Sequence, residues 1–173
     1  MPRLLLTLGT LALASSAYLL MLKGWRGRQR RQADLPAPPT VSERPGRGDS
    51  AAHERVQGLF VGTTDAERWL DRIAVHHLSD RASGELSVGE HGVVIDRPGL
   101  SALLLPWESI ESAEVETALG GKVVTTGMLV LTWRLGARRV RSAFRADDRT
   151  AHEVLRDAVN TGLTTRINLE ASR

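Results

Sequence analysis

Met128-Leu-Val-Leu-Thr-Trp-Arg-Leu-Gly-Ala-Arg-Arg-Val-Arg-Ser-Ala-Phe144 is the stretch that decides how this chain folds. Leu129, Leu131 and Trp133 alternate with Val130, Thr132 and Arg134, the period of a strand with one face buried. Arg138–Phe144 has the same period, with Val140, Ser142 and Phe144 on one face and Arg139, Arg141 and Arg145 on the other. Gly136-Ala137 between the two runs is the turn, so 128–144 reads as a β-hairpin.

Upstream of the hairpin, Glu85–Val88, Val93–Arg97, Ala102–Leu105 and Ile110–Glu116 are short strands. Gly89-Glu-His-Gly92 and Pro98-Gly99 supply turns, and Ala118-Leu-Gly-Gly-Lys122 a loop. Gly58–Gly62 is a further strand. Thr64-Asp-Ala-Glu67 has capping-box spacing, and Ala66, Trp69, Leu70, Ile73 and Ala74 follow at helical intervals, so a helix is expected over Asp65–His77. Downstream, Ala151, Val154, Leu155, Ala158 and Val159 mark a closing helix over Asp147–Asn160. About seven short strands and a terminal helix predict an α+β domain over residues 58–165. Its core is a bent antiparallel sheet or partly open barrel capped by the helix, followed by a tail, 166–173.

Leu4–Leu22 contains nineteen residues without a charge, nine of them leucine. As a helix it reaches about 28 Å, close to the roughly 30 Å of a bilayer's hydrocarbon core. Lys23, Arg26, Arg28, Arg30 and Arg31 follow at once, with Trp25 at the interfacial position, whereas only Arg3 and the amino terminus are charged on the other side. That asymmetry predicts a single-pass anchor with the C-terminal bulk in the cytoplasm. A cleaved signal peptide is the competing reading, since Ala12-Leu-Ala14 and Ser15-Ser-Ala17 resemble cleavage sites. The apolar run through Leu22 and the charge placed behind it favour the anchor. Residues 23–57 read as a basic flank and a Pro/Gly-rich linker, too poor in apolar surface from Gln32 to Gln57 to order itself.

Charge then narrows the function. Residues 1–57 carry nine Lys/Arg against four Asp/Glu, a net of +5, while 58–173 carry a net of −2. A nucleic-acid-binding domain carries its positive charge on itself, so the basic pI of 10.1 belongs to the anchor's flank and no nucleic-acid partner is expected. The chain has no cysteine, which excludes disulfides and thiolate chemistry.

Among candidate sites, His76-His77 is expected to cap the helix end, because adjacent helical positions point about 100° apart and do not chelate one ion. Gly120-Gly-Lys122 lacks the leading glycine and the trailing Ser/Thr of a phosphate loop. Trp69, Trp107 and Trp133 fall on apolar phases and are expected in the core. Arg134, Arg139, Arg141 and Arg145 form a candidate surface for an anion or an acidic partner. The alternative is cross-strand pairing with Glu114, Glu116 and other acids. No nucleophile elbow, acid/base pair, metal set or cofactor loop is present in the sequence, so no catalytic activity, cofactor or metal is expected.

The phrases "GLFVGTT…WLDR", "GVVIDRPG", "LLLPWESI", the GGK loop, "LVLTWRLG" and "FRADD" resemble a family of actinobacterial single-pass membrane proteins with a bacterial pleckstrin-homology-like (PH-like) domain. The resemblance covers roughly Gly58–Gly162. It implies a seven-stranded barrel closed by a C-terminal helix, with the Asp65–His77 helix as an insertion. Members are often labelled export or transport proteins. A single span encloses no pathway, so the expected function is a membrane-anchored cytoplasmic binding or scaffold module with a protein partner, headgroup binding being less favoured. The alternative is an accessory subunit of a transport or export assembly, for which a polar face on the anchor would be the mark.

Overall fold

A computed structural model describes residues 2–40, 54–68, 70–119 and 122–171. The chain divides into two compact units, Met1–Asp34 and Leu35–Arg173. The first is one helix, α1 (Pro2–Arg31), long and apolar enough to cross a membrane. The hydroxyls of Thr7, Thr10 and Ser16 donate to the carbonyls of Arg3, Leu6 and Ala12 one turn back. Their polar groups are thereby satisfied inside the helix.

The second unit holds β1 (Glu54–Asp65), β2 (Ala82–Gly89), β3 (Gly92–Asp96), β4 (Leu103–Pro106), a 3-10 turn at Trp107–Ser109, β5 (Ile110–Leu119), β6 (Lys122–Leu135), β7 (Arg138–Ala146) and α2 (Ala151–Ala171). Every pairing is antiparallel, in the order β4-β3-β2-β1-β7-β6-β5. The result is a seven-strand antiparallel bent sheet with a C-terminal helix, as the strand pattern predicts. Leu86, Val93, Ile95, Leu105, Leu129, Leu131, Trp133, Val140 and Phe144 point to one face and are buried there with Leu155 and Val159 of α2. The decisive hairpin has the expected phase: Leu129, Leu131 and Trp133 pair with Phe144, Ser142 and Val140. Its two-residue turn places Gly136 at φ 61° and leaves Ala137 at negative φ. Glycine is the residue that takes the first central position of such a turn without strain.

Trp133 is 1 % exposed and donates through Nε1 to Ser142 Oγ (2.9 Å), which also meets Thr63 Oγ1 (2.7 Å). Trp107 is buried too; its Nε1 reaches the carbonyls of Gly89 and Glu90, and its ring lies so close to Gly162 that any Cβ there would collide with it. Trp69, Gly120 and Gly121 lie outside the described residues.

The structure differs from expectation in several places. The described residues of 66–81 form no helix, because Thr63, Thr64 and Asp65 are committed to β1 through their pairing with β7. Asp65 still supplies an oxygen to the following N–H groups, those of Glu67 and Arg68 (2.9 and 3.0 Å), and Asp71 N–H then donates to Arg68 O (2.6 Å) in a further turn. The segment instead folds back on the end of β1: Ile73 N–H donates to Thr63 O (3.0 Å) and Thr63 N–H to Leu78 O (2.7 Å). Ile73, Ala74 and Leu78 are buried, while Leu70, expected on the apolar face, is 60 % exposed.

β1 begins at Glu54, so the end of the expected linker is strand. Leu35–Thr40 also belongs to the domain. Leu35 is 6 % exposed within the core, Leu104 N–H donates to Pro39 O (3.1 Å), and Thr40 bridges Leu103. Lastly, β5 reaches Leu119, which pairs with Lys122, and α2 runs to Ala171 through most of the expected tail.

Candidate partner-binding surface

β6 and β7 carry the arginines singled out in the sequence, and the strand register decides what they face. Arg134 stands opposite Arg139, and Thr132 opposite Arg141. On the far side of β6, a register shift between Ile110 and Ser112 lets Glu111 of β5 reach across the sheet. Arg134 Nε donates to Glu111 Oε1 (2.9 Å) and Arg139 Nε to Glu111 Oε2 (2.7 Å), one guanidinium for each carboxylate oxygen. The two guanidiniums hold the Glu111 carboxyl below the usual carboxylate range. Arg141 pairs with Glu116. Arg145 is half-buried opposite Leu59 and makes no ion pair among the described residues. Glu111 was not legible as the shared partner, because only the irregularity in β5 brings it between the two arginines.

A second set of cations is structural. Arg97, 2 % exposed, donates from Nη1 to His77 O (2.8 Å) and from Nη2 to Ser101 O (2.9 Å), with its guanidinium 5.0 Å from the centroid of the Phe60 ring. Burial pushes its pKa down, partly offset by Asp80. Arg72 donates from Nη2 to Val61 O (2.6 Å) and Ser79 O (3.3 Å). The two side chains pin segment 66–81 onto β1 and β3. Gly62 sits under the Arg72 guanidinium at φ 129°, where a Cβ would both clash and be strained.

His76 and His77 are not a helix cap. Both take left-handed φ, 56° and 55°, in a turn closed by Leu78 N–H on Val75 O (3.1 Å). His76 Nε2 lies 2.9 Å from Leu35 O, and His77 Nδ1 2.7 Å from Asp80 Oδ2. Among the described residues no group of three or more His, Asp or Glu could hold a metal ion. Lys122 lies on β6, opposite Leu119.

The sheet has two edges. At β4 the edge is taken by the chain itself, through Pro39 and Thr40. At β5 it has, among the described residues, β6 as its single strand neighbour, and Asn160 of α2 donates from Nδ2 to Ala113 O (3.3 Å). The acids Glu111, Glu114 and Glu116 lie on β5, which has no basic residue.

Residues 34–160 match the family model described as bacterial PH domain-like. No curated protein matches the chain. Among solved structures, a chain of "The 8S snRNP Assembly Intermediate" superposes with TM-score 0.46 at 8 % identity, covering 75 % of this chain and 88 % of that one.

Proposed function

The chain belongs to the bacterial PH domain-like family, and from that premise we propose that it is a membrane-anchored cytoplasmic binding or scaffold module, without catalytic activity, that holds a protein partner at the inner membrane face. The anchor is α1, and the positive charge behind its apolar run supports the cytoplasmic orientation of the domain. A tether of this kind raises the local concentration of whatever the domain binds and needs no reactive group.

The observation that carries the choice of a protein over a lipid headgroup is the pairing of the hairpin arginines. Binding an anionic headgroup takes cations that are free to meet it, at about 1 kcal/mol per Lys/Arg near the surface. Three of the four candidate arginines already face Glu111 or Glu116, and residues 58–173 carry a net charge of −2. The accessory-subunit reading has less support, because the hydroxyls of Thr7, Thr10 and Ser16 are already turned back onto carbonyls of their own helix.

The test is photocrosslinking in native membranes from the full-length chain, with the photoreactive residue placed in turn at several exposed positions of the domain. A discrete cytoplasmic protein in the adducts is the expected result. Adducts confined to phospholipid, or to integral membrane transport subunits, would replace this reading by headgroup recognition or by the accessory role.

A further inference from the structure

We infer that the C-terminal end of α1 carries a lipid site: Lys23, Arg26 and Arg30 form one stripe that binds a phospholipid whose headgroup holds two phosphates. This rests on the reading of α1 as the membrane anchor and is independent of what the domain binds.

The stripe follows from an unbroken helix. α1 runs to Arg31, nine residues past Leu22, where the apolar run ends. At about 100° per residue, Arg30 returns to within about 20° of Lys23, and Arg26 stands about 40° from Arg30. The three cations therefore share an arc of about 60° and rise in steps of about 4.5 and 6 Å. Arg28 and Arg31 point elsewhere, about 140° and 80° round from Lys23, and Trp25 lies about 160° away.

Depth sets the stripe against phosphate. With Leu4–Leu22 filling the hydrocarbon core, the polar layer beyond it is about 5–8 Å thick on each side. Lys23 and Arg26 then stand within that layer. Arg30 stands at its outer margin, where a long side chain reaches back to it. All three are exposed, and among the described residues none of their side chains has a hydrogen bond or an ion pair. Residues 1–33 contain no Asp or Glu, so no carboxylate of the anchor competes for these cations. The hairpin is the opposite case, since Arg134, Arg139 and Arg141 face Glu111 or Glu116.

Spacing selects the headgroup. Side chains three or four residues apart on a helix face have Cβ atoms about 5–6 Å apart, so Arg26 has a cation on either side. One phosphate takes Lys23 with Arg26 and the second takes Arg26 with Arg30, the guanidinium donating from different N–H groups to each. A lipid with one phosphate satisfies half of the stripe. Two such lipids would each give up lateral freedom, whereas two phosphates on one lipid give it up once.

The experiment titrates the full-length chain, in micelles of a neutral detergent, with cardiolipin, phosphatidylglycerol or phosphatidylcholine, and counts bound lipid by native mass spectrometry. We expect one cardiolipin per chain, bound saturably and about tenfold more tightly than phosphatidylglycerol at equal phosphate. K23Q/R26Q should weaken cardiolipin binding about tenfold or more, whereas R28Q/R31Q, which removes the same charge from another face, should weaken it about twofold. The cooperative melt of the domain should be the same in both variants. If K23Q/R26Q cannot be purified, R26Q/R30Q makes the same comparison. Equal affinity for the two anionic lipids, equal losses in the two variants, or binding without saturation would overturn the inference. A chain that enters phosphatidylcholine nanodiscs yet prefers no anionic lipid would sink the lipid site alone. One that stays out of nanodiscs altogether would take the anchor reading down with it.

Discussion

His76 Nε2 lies 2.9 Å from the carbonyl oxygen of Leu35, joining a strained left-handed turn to the first buried residue of the domain. The contact places the domain's start at Leu35, well before the Gly58 expected from the strand pattern. The buried side chain contributes more than the hydrogen bond. Leu35→Ala should destabilise the domain by about 2–4 kcal/mol. His76→Gly should be near neutral, because losing a hydrogen bond worth about 1 kcal/mol is offset by relief of a left-handed conformation that costs a non-glycine residue about as much. Chemical denaturation of residues 35–173 measures both. A His76→Gly loss larger than that of Leu35→Ala would reverse the ranking.

Trp133 and Ser142 test the hairpin phase. Trp133→Ala should cost about 3–5 kcal/mol, the range for a buried large aromatic. Ser142→Ala should cost about 1–3 kcal/mol, because it leaves the buried indole N–H without its acceptor. A double variant should cost less than the sum of the two, since each removes the same hydrogen bond. Strict additivity would show that the bond contributes nothing.

Arg97→Met keeps much of the side chain's volume and removes its charge. It leaves the carbonyls of His77 and Ser101 without donors, so segment 66–81 should loosen locally. The expected signature is faster hydrogen exchange at Ile73 and Leu78, with smaller changes in β6. Uniformly faster exchange across the domain would instead make Arg97 a general core residue and not a staple of that segment.

The alternating strands, the two-residue hairpin turn and the closing helix were legible because each is set by residues close together in sequence. Segment 66–81 was not. Its helical spacing was real, but Thr63–Asp65 are claimed by β7 residues some 75 positions away, and that pairing takes away the residues that would have started the helix. Leu35 was lost for a related reason: one leucine among prolines carries no period, and its place is set by residues distant in sequence, His76 on its carbonyl among them. At the surface, the arginine pattern was visible and its main partner was not, because a shift in β5 register selects Glu111.

Glu111 gives the pH dependence. Its folded-state pKa is lowered by Arg134 and Arg139, so its stabilising contribution is complete above the unfolded value of about 4.3 and is lost as pH falls through the lower folded value. The stability gap between the native chain and Glu111→Gln should therefore be constant near neutrality and close under acid. A gap that widens below about pH 4 would contradict the ion-pair assignment.

Flotation of residues 35–173 with anionic vesicles at physiological salt decides whether the domain recognises protein and owes its membrane residence to the anchor. Headgroup attraction at that salt is screened beyond about 8 Å, so a domain in which Arg134, Arg139 and Arg141 already face Glu111 or Glu116 should stay in the bottom fraction while the full-length chain floats. A fragment that floats with anionic but not neutral vesicles, and stops doing so when Arg139 and Arg141 are both replaced by Glu, would make the hairpin a headgroup site and contradict the account.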